Sequence, residues 1–128
     1  MVQEFWFEAY HVAKYLKRDD LWAAKYRDWR LKELLLQVLE WREKSRHGWD
    51  YDTGYLGTRM KEWVEPWVWA RLKEAFGRCE AADSWQALHH TMSIFRDVAQ
   101  DAANRLGQRY PLEVDQQISH CVESLEAL

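Results

Sequence analysis

Apolar side chains recur three and four residues apart along nearly the whole of this chain, a spacing that fits an amphipathic helix and not a strand. Phe5, Ala9, Val12 and Leu16 form one such stripe, and Leu31, Leu34, Leu35, Val38 and Leu39 a second. Trp85, Leu88, Met92, Phe95, Ala99, Ala102 and Leu106 make a third, and Val114, Ile118, Cys121 or Val122, and Leu125 a last short one. No run alternates with the period of two that a half-buried strand needs. Two Pro and five Gly interrupt 128 residues, too little punctuation for a many-turned β fold. The boundaries agree. Asp19 and Asp20 can cap a helix starting near Leu21, because a short acceptor side chain serves the first free N–H groups. "DSWQ" puts Asp83 three residues before Gln86, a capping-box pattern. Gly107 follows the last periodic residue of its helix, and Pro66 and Pro111 suit first turns. The one long break is "HGWDYDTGYLG", residues 47–57. These signals predict an all-α fold, an antiparallel helical bundle of five or six helices, as a single domain over residues 1–128.

A chain of this length buries roughly two-thirds of its unfolded surface and needs no staple. Nine Trp is an unusual supply, and Trp favours cores, grooves and interfaces with a wet edge. The net charge of −3 argues against a polyanion binder. The basic residues of 14–32 are interleaved with Asp19, Asp20 and Asp28, and residues 110–128 carry only acids, so no phosphate track for nucleic acid is expected. Cys79 and Cys121 match no metal or redox spacing. No apolar run approaches the roughly 18 residues of a membrane span, and no signal peptide precedes the first helix. The expectation is a reduced, cytoplasmic protein without membrane contact. Helical pattern begins directly after Met1, which suggests a segment upstream.

No metal or catalytic constellation is legible. "DYDTGY" has Asp50 and Asp52 two apart, but Gly54 and Lys61 stand where a calcium loop needs acids. His89 and His90 are adjacent, so they point about 100° apart on a helix. There is no serine elbow and no phosphate loop ahead of a Lys. No residue is assigned a catalytic or metal-binding role.

The stretch "FWFEAYHVAKYLKRDDLWAAKY", residues 5–26, is richer than a core helix requires. Beside its apolar stripe, Glu4, Glu8, His11 and Tyr15 share one flank, with Arg18 and Trp22 carrying it past the turn; Trp6, Tyr10 and Ala13 share the other. One reading is ordinary helix packing. The other is a groove in which Glu8, Asp19 and Asp20 meet a cationic ligand stacked on an aromatic wall.

This stretch resembles the helix that opens the C-terminal domain of aminoglycoside 6-adenylyltransferases, the streptomycin adenylyltransferases, whose pattern runs close to E-F-W-x-E-x-x-Y-V-A-K-Y-L-x-R-D-E-L-x-x-A-K-Y. "LLLQVLEW" at 34–41 is similar to the family's L-L-x-M-L-E-W, and "IFRDVAQDAANRLGQRYPLEVDQQISHCVESL" at 94–125 to its last two helices. The resemblance covers essentially the whole chain, in order. It implies an enzyme that moves AMP from ATP onto a hydroxyl of streptomycin. It also implies an N-terminal nucleotidyltransferase domain whose Gly-Ser turn and paired Asp hold Mg2+ and the triphosphate. None of those features is among these 128 residues, so the resemblance implies the substrate-side helical domain, inactive alone, with the catalytic domain supplied in cis or in trans and ATP and Mg2+ used by the full-length enzyme.

Streptomycin carries two guanidinium groups, and a guanidinium is matched by a carboxylate fork and an aromatic face. The resemblance therefore implies Glu8, Asp19 and Asp20 as carboxylates and Trp6, Tyr15 and Trp22 as ring faces for an aminoglycoside. It implies Lys14, Arg18, Thr53, Gly54, Arg59 and Lys61 near the nucleotide phosphates, with Lys14 and Arg18 also placed to pair with the acids. Where the family reads T-G-K-x-G-K-x-x-K this chain reads "TGYLGTRMK", residues 53–61, so Tyr55 and Thr58 replace two phosphate-facing Lys. The competing expectation is a standalone helical module that keeps the fold without the chemistry and uses its Trp surface for a partner or a homodimer.

Overall fold

The computed structural model describes residues 1–128. Six α-helices follow one another: α1 (Val2–Lys17), α2 (Leu21–His47), α3 (Met60–Trp63), α4 (Pro66–Leu72), α5 (Ala81–Leu106) and α6 (Leu112–Ala127), with a single 3-10 turn at Lys73–Ala75. Four long helices form the bundle, and α3 and α4 lie in the connection between its two halves.

Each half is an antiparallel hairpin. α1 stops at Asp19, whose φ of 60° is left-handed. There the Asp19 N–H donates to the Leu16 carbonyl and the Asp20 N–H to the Tyr15 carbonyl, the paired bonds of a Schellman ending. Asp is among the few residues that adopt this backbone readily. α5 ends the same way, with Gly107 at φ 68° and Gln108 N–H donating to Ala103. The two hairpins are set side by side with α2 and α5 parallel. Lys32 reaches Thr91 and Arg42 reaches Asp101, each pair 59 residues apart. A constant offset of this kind is the signature of parallel elements, and the α3–α4 segment makes the return run that parallel packing requires.

The expected boundaries are met at Leu21, Pro66 and Gly107. Asp83 is a correction. α5 begins at Ala81, so Asp83 sits inside the first turn rather than at the cap, and its carboxylate faces Arg78 at 3.3 Å. The Asp20 side chain likewise makes no capping bond, although α2 does begin after it.

The core runs between α1, α2 and α5, closed by α3, α4 and Val122 of α6, and its aromatic centre lies where α1 meets α5. Phe5 stacks on Phe95 with centroids 3.7 Å apart, and Trp6 stands edge-on to both. Trp6 Nε1–H donates to Tyr110 Oη at 3.2 Å, and Tyr110 Oη–H donates to Asp115 Oδ2 at 2.7 Å. Arg96 forks onto both Asp115 oxygens, each at 2.7 Å, and its guanidinium lies 5.4 Å from the Trp6 ring. Asp115 is almost wholly buried. Burial alone would raise its pKa, but hydrogen bonds from Arg96, Tyr110 and Ser119 outweigh burial and hold it below the ordinary carboxylate range.

Asp115→Ala leaves the Arg96 guanidinium and the Tyr110 hydroxyl without their acceptor and is expected to cost about 3 kcal/mol in urea unfolding at pH 7. Because the folded pKa is depressed, this contribution is present above the unfolded value of about 3.9 and is lost as pH falls through the folded one. The gap between wild type and Asp115→Asn should therefore shrink between pH 6 and pH 3; a constant gap would contradict this account.

Candidate functional site

The α1–α2 hairpin sets the register of the candidate ligand face. Glu4 pairs with Arg30 at 3.0 Å, and Glu8 faces Arg27 at 3.5 Å. Two such pairs, running oppositely along the helices, place the first half of α1 beside residues 26–33 of α2. Glu8, Tyr26, Arg27, Trp29, Arg30 and Glu33 line a pocket of about 210 Å³. Glu8 is mostly buried, and its Oε2 has no hydrogen-bond partner. A buried carboxylate oxygen without a donor is costly, and such oxygens are normally satisfied. Tyr26 and Trp29 are exposed rings on the outer face of α2.

The residues expected to share this site do not converge. Glu8 and Asp19 are eleven residues apart, about 16 Å along a helix axis. Asp19 and Asp20 are exposed in the hairpin turn, where Asp19 serves as a helix stop. They do not join Glu8 in one carboxylate clamp. Trp6, expected to show a ring face to a ligand, is completely buried against Phe5 and Phe95; the correction follows from the width of the α1 core stripe, which takes in Trp6 and Ala13 as well as Phe5 and Ala9. Tyr15 is half-buried against the core, while Trp22 is 88% exposed. Lys14 lies 5.5 Å from the Tyr10 ring, and neither it nor Arg18 forms an ion pair with the acids.

The loop expected to face a nucleotide is held against α2 further along. Thr53 is buried and its hydroxyl donates to Glu40 Oε2 at 2.8 Å. The Gly54 N–H donates to Asp52 Oδ1 at 2.8 Å, and Gly54 adopts φ 75°. A Cβ there would come within 3.3 Å of the Thr58 carbonyl, so the turn requires glycine. Arg59 and Lys61 are exposed, Arg59 standing 4.0 Å from Glu62. Arg27 and Glu40 are thirteen residues apart on α2, about 20 Å along its axis. The pocket at Glu8 and the loop at 53–61 are thus two separate places on one long helix. No group of three or more His, Cys, Asp or Glu is placed to hold a metal ion.

Two features escaped the sequence. One is the α2 half of the pocket, Tyr26, Arg27, Trp29 and Glu33. The signal was present, since Trp22, Tyr26, Trp29 and Glu33 recur at helical spacing on the face opposite Leu31, Leu34 and Leu35. The other is an apolar cavity of about 530 Å³ between α2 and α4, walled by Leu35, Leu36, Met60, Trp69 and Phe76. At its end, buried Lys32 donates to Asp28 at 2.8 Å; burial pushes the ammonium pKa down while Asp28 pulls it up, leaving it lowered.

A family described as streptomycin adenylyltransferase matches residues 1–125. An aminoglycoside 6-adenylyltransferase from Campylobacter jejuni is 28% identical over 120 residues, 93% of this chain and 41% of the relative. One from Bacillus subtilis (strain 168) is 24% identical over 123 residues, 95% of this chain and 43% of that protein. The crystal structure of an aminoglycoside 6-adenyltransferase from Bacillus subtilis shares the fold with a TM-score of 0.90 at 22% identity, over 99% of this chain and 48% of that one. The chain therefore spans less than half the length of these relatives.

The placement of the two Trp gives a test. Trp6→Ala should cost about 3–5 kcal/mol in chemical unfolding, whereas Trp22→Ala should change stability by less than about 0.5 kcal/mol. Comparable losses at both positions would overturn the assignment of Trp6 to the core and Trp22 to the surface.

Proposed function

This chain belongs to the streptomycin adenylyltransferase family, and from that premise we propose that it is the helical, substrate-side domain of an aminoglycoside adenylyltransferase. In this reading it helps to bind a cationic aminoglycoside of the streptomycin type and transfers no AMP by itself. The observation that carries the reading is Glu8, with one oxygen unpartnered, in a pocket flanked by Tyr26 and Trp29. A guanidinium has the fork to serve both oxygens and the flat face to stack on an aromatic ring. ATP and Mg2+ belong to the remainder of such an enzyme. Asp50 and Asp52 do not fit a metal role, because both are exposed and Asp52 accepts the Gly54 N–H. The nucleotidyltransferase half joins this domain in cis or in trans. Thr53, Gly54, Arg59 and Lys61 face its nucleotide, with Tyr55 and Thr58 in place of two family lysines.

A second reading is a helical module that serves a protein partner. It is favoured by the apolar cavity between α2 and α4 and by six of the nine Trp being exposed. Sedimentation separates the two: a stable dimer abolished by Trp22→Ala supports the module.

The test of the first reading is a calorimetric titration with streptomycin at low and at high salt. Binding should saturate and weaken with salt. Glu8→Gln should weaken it about tenfold or more, the worth of a charge-assisted hydrogen bond. Asp19→Asn, which keeps the left-handed turn, should have a smaller effect because of its distance from Glu8. Undiminished binding by Glu8→Gln would remove the pocket from the drug site.

A further inference from the structure

Within this protein two guanidinium–carboxylate pairs can be compared directly. Arg96 meets Asp115 as a fork, Nε donating to Oδ2 and Nη2 to Oδ1, each at 2.7 Å. Arg27 meets Glu8 through one nitrogen and one oxygen at 3.5 Å, beyond the usual 2.7–3.2 Å for such a bond. Glu8 Oε2 is left buried with no donor at all. Arg27 keeps 40% of its side chain in solvent, against 19% for Glu8. Arg30, the other cation of the pocket, is engaged elsewhere, at 3.0 Å from Glu4 and 3.7 Å from Glu33.

An arginine built to satisfy Glu8 would close on it as Arg96 closes on Asp115. Arg27 instead neutralises the carboxylate from its open side and leaves half of its acceptor capacity unused. A contact at 3.5 Å from an arginine that keeps 40% of its side chain in solvent contributes little stability, so it exchanges at small cost. The arrangement holds a weak guanidinium where a better-placed one can enter.

We propose that Arg27 is a resident competitor for Glu8: its guanidinium occupies the carboxylate until a guanidinium-bearing ligand displaces it and forks onto both oxygens. The pocket, close to neutral while Arg27 is seated, becomes net negative as Arg27 swings out, through Glu8 and Glu33. Selectivity follows. A guanidinium regains both oxygens, whereas a primary ammonium offers no planar fork and gains less from the exchange. This inference rests on the reading of the Glu8 pocket as a cation site.

The experiment is an NMR titration of the chain with streptomycin, following the Trp29 indole N–H at low salt, for wild type, Arg27→Gln, Glu8→Gln and the double variant. Removing the competitor should tighten binding about two- to fivefold, the worth of an exposed ion pair. Glu8→Gln should weaken it, and Arg27→Gln should give no gain once Glu8 is Gln. Arg27→Lys, which keeps the charge without the fork, should fall between wild type and Arg27→Gln. If Glu8→Gln weakens binding but Arg27→Gln weakens it too or leaves it unchanged, Arg27 is a support for Glu8 and the competitor role is wrong, while the pocket reading stands. If Glu8→Gln changes nothing, or millimolar drug moves no resonance, the pocket reading fails and this inference fails with it.

Discussion

The Asp115 carboxylate is the point on which three helices are pinned. It sits at the start of α6, takes the Arg96 fork from α5, and through the Tyr110 hydroxyl reaches the Trp6 indole of α1. A carboxylate this deeply buried is tolerable only because its acceptor positions are filled, one oxygen by Arg96 and Tyr110 and the other by Arg96 and Ser119. The same network gives Trp6 its hydrogen-bond partner, which lets the largest side chain of α1 be wholly buried. With Trp6 fixed, Phe5 stacks on Phe95 and the rotation of α1 about its axis is set. That rotation decides which flank of α1 meets α2.

The candidate site follows from this placement. Because Phe5 and Trp6 point into the core, Glu4 and Glu8 fall at the α2 seam. The Schellman ending at Asp19 holds the turn short, so the seam runs in one register with Glu8 beside Arg27. α2 is apolar on two faces. Leu31, Leu34, Leu35 and Val38 enter the core, while Trp22, Tyr26 and Trp29 face outward. Those three rings lie outside the core. In the proposed reading they are the wall that receives a cation, and the nucleotidyltransferase half of the enzyme completes the cleft.

Much of the fold was legible because its signals are local. Leu21, Pro66 and Gly107 mark helix ends through the backbone preferences of single residues and their neighbours. Asp83 misled because the extended backbone at Glu80 starts α5 earlier and leaves Asp83 inside the first turn. The parallel setting of α2 and α5 was not legible, since the short helices between them carry weak periodicity. The site was legible only in part. Glu8 stood out as an acid between aromatics, but its grouping with Asp19 and Asp20 treated closeness in sequence as closeness in space. Along a helix, eleven residues is a long way.

The sequence by itself determined the class of fold, the helix ends at Leu21, Pro66 and Gly107 and, through three stretches in order, the family. Those depend on period, on local backbone preference and on residue identity, all of which are linear properties of the chain. Tertiary structure alone decided that Trp6 is core and Trp22 surface, that Arg27 rather than Asp19 is the neighbour of Glu8, and that one oxygen of Glu8 is left without a partner. These depend on how α1 is turned against α5 and α6, and that angle is set by the buried Asp115 network joining residues more than one hundred positions apart.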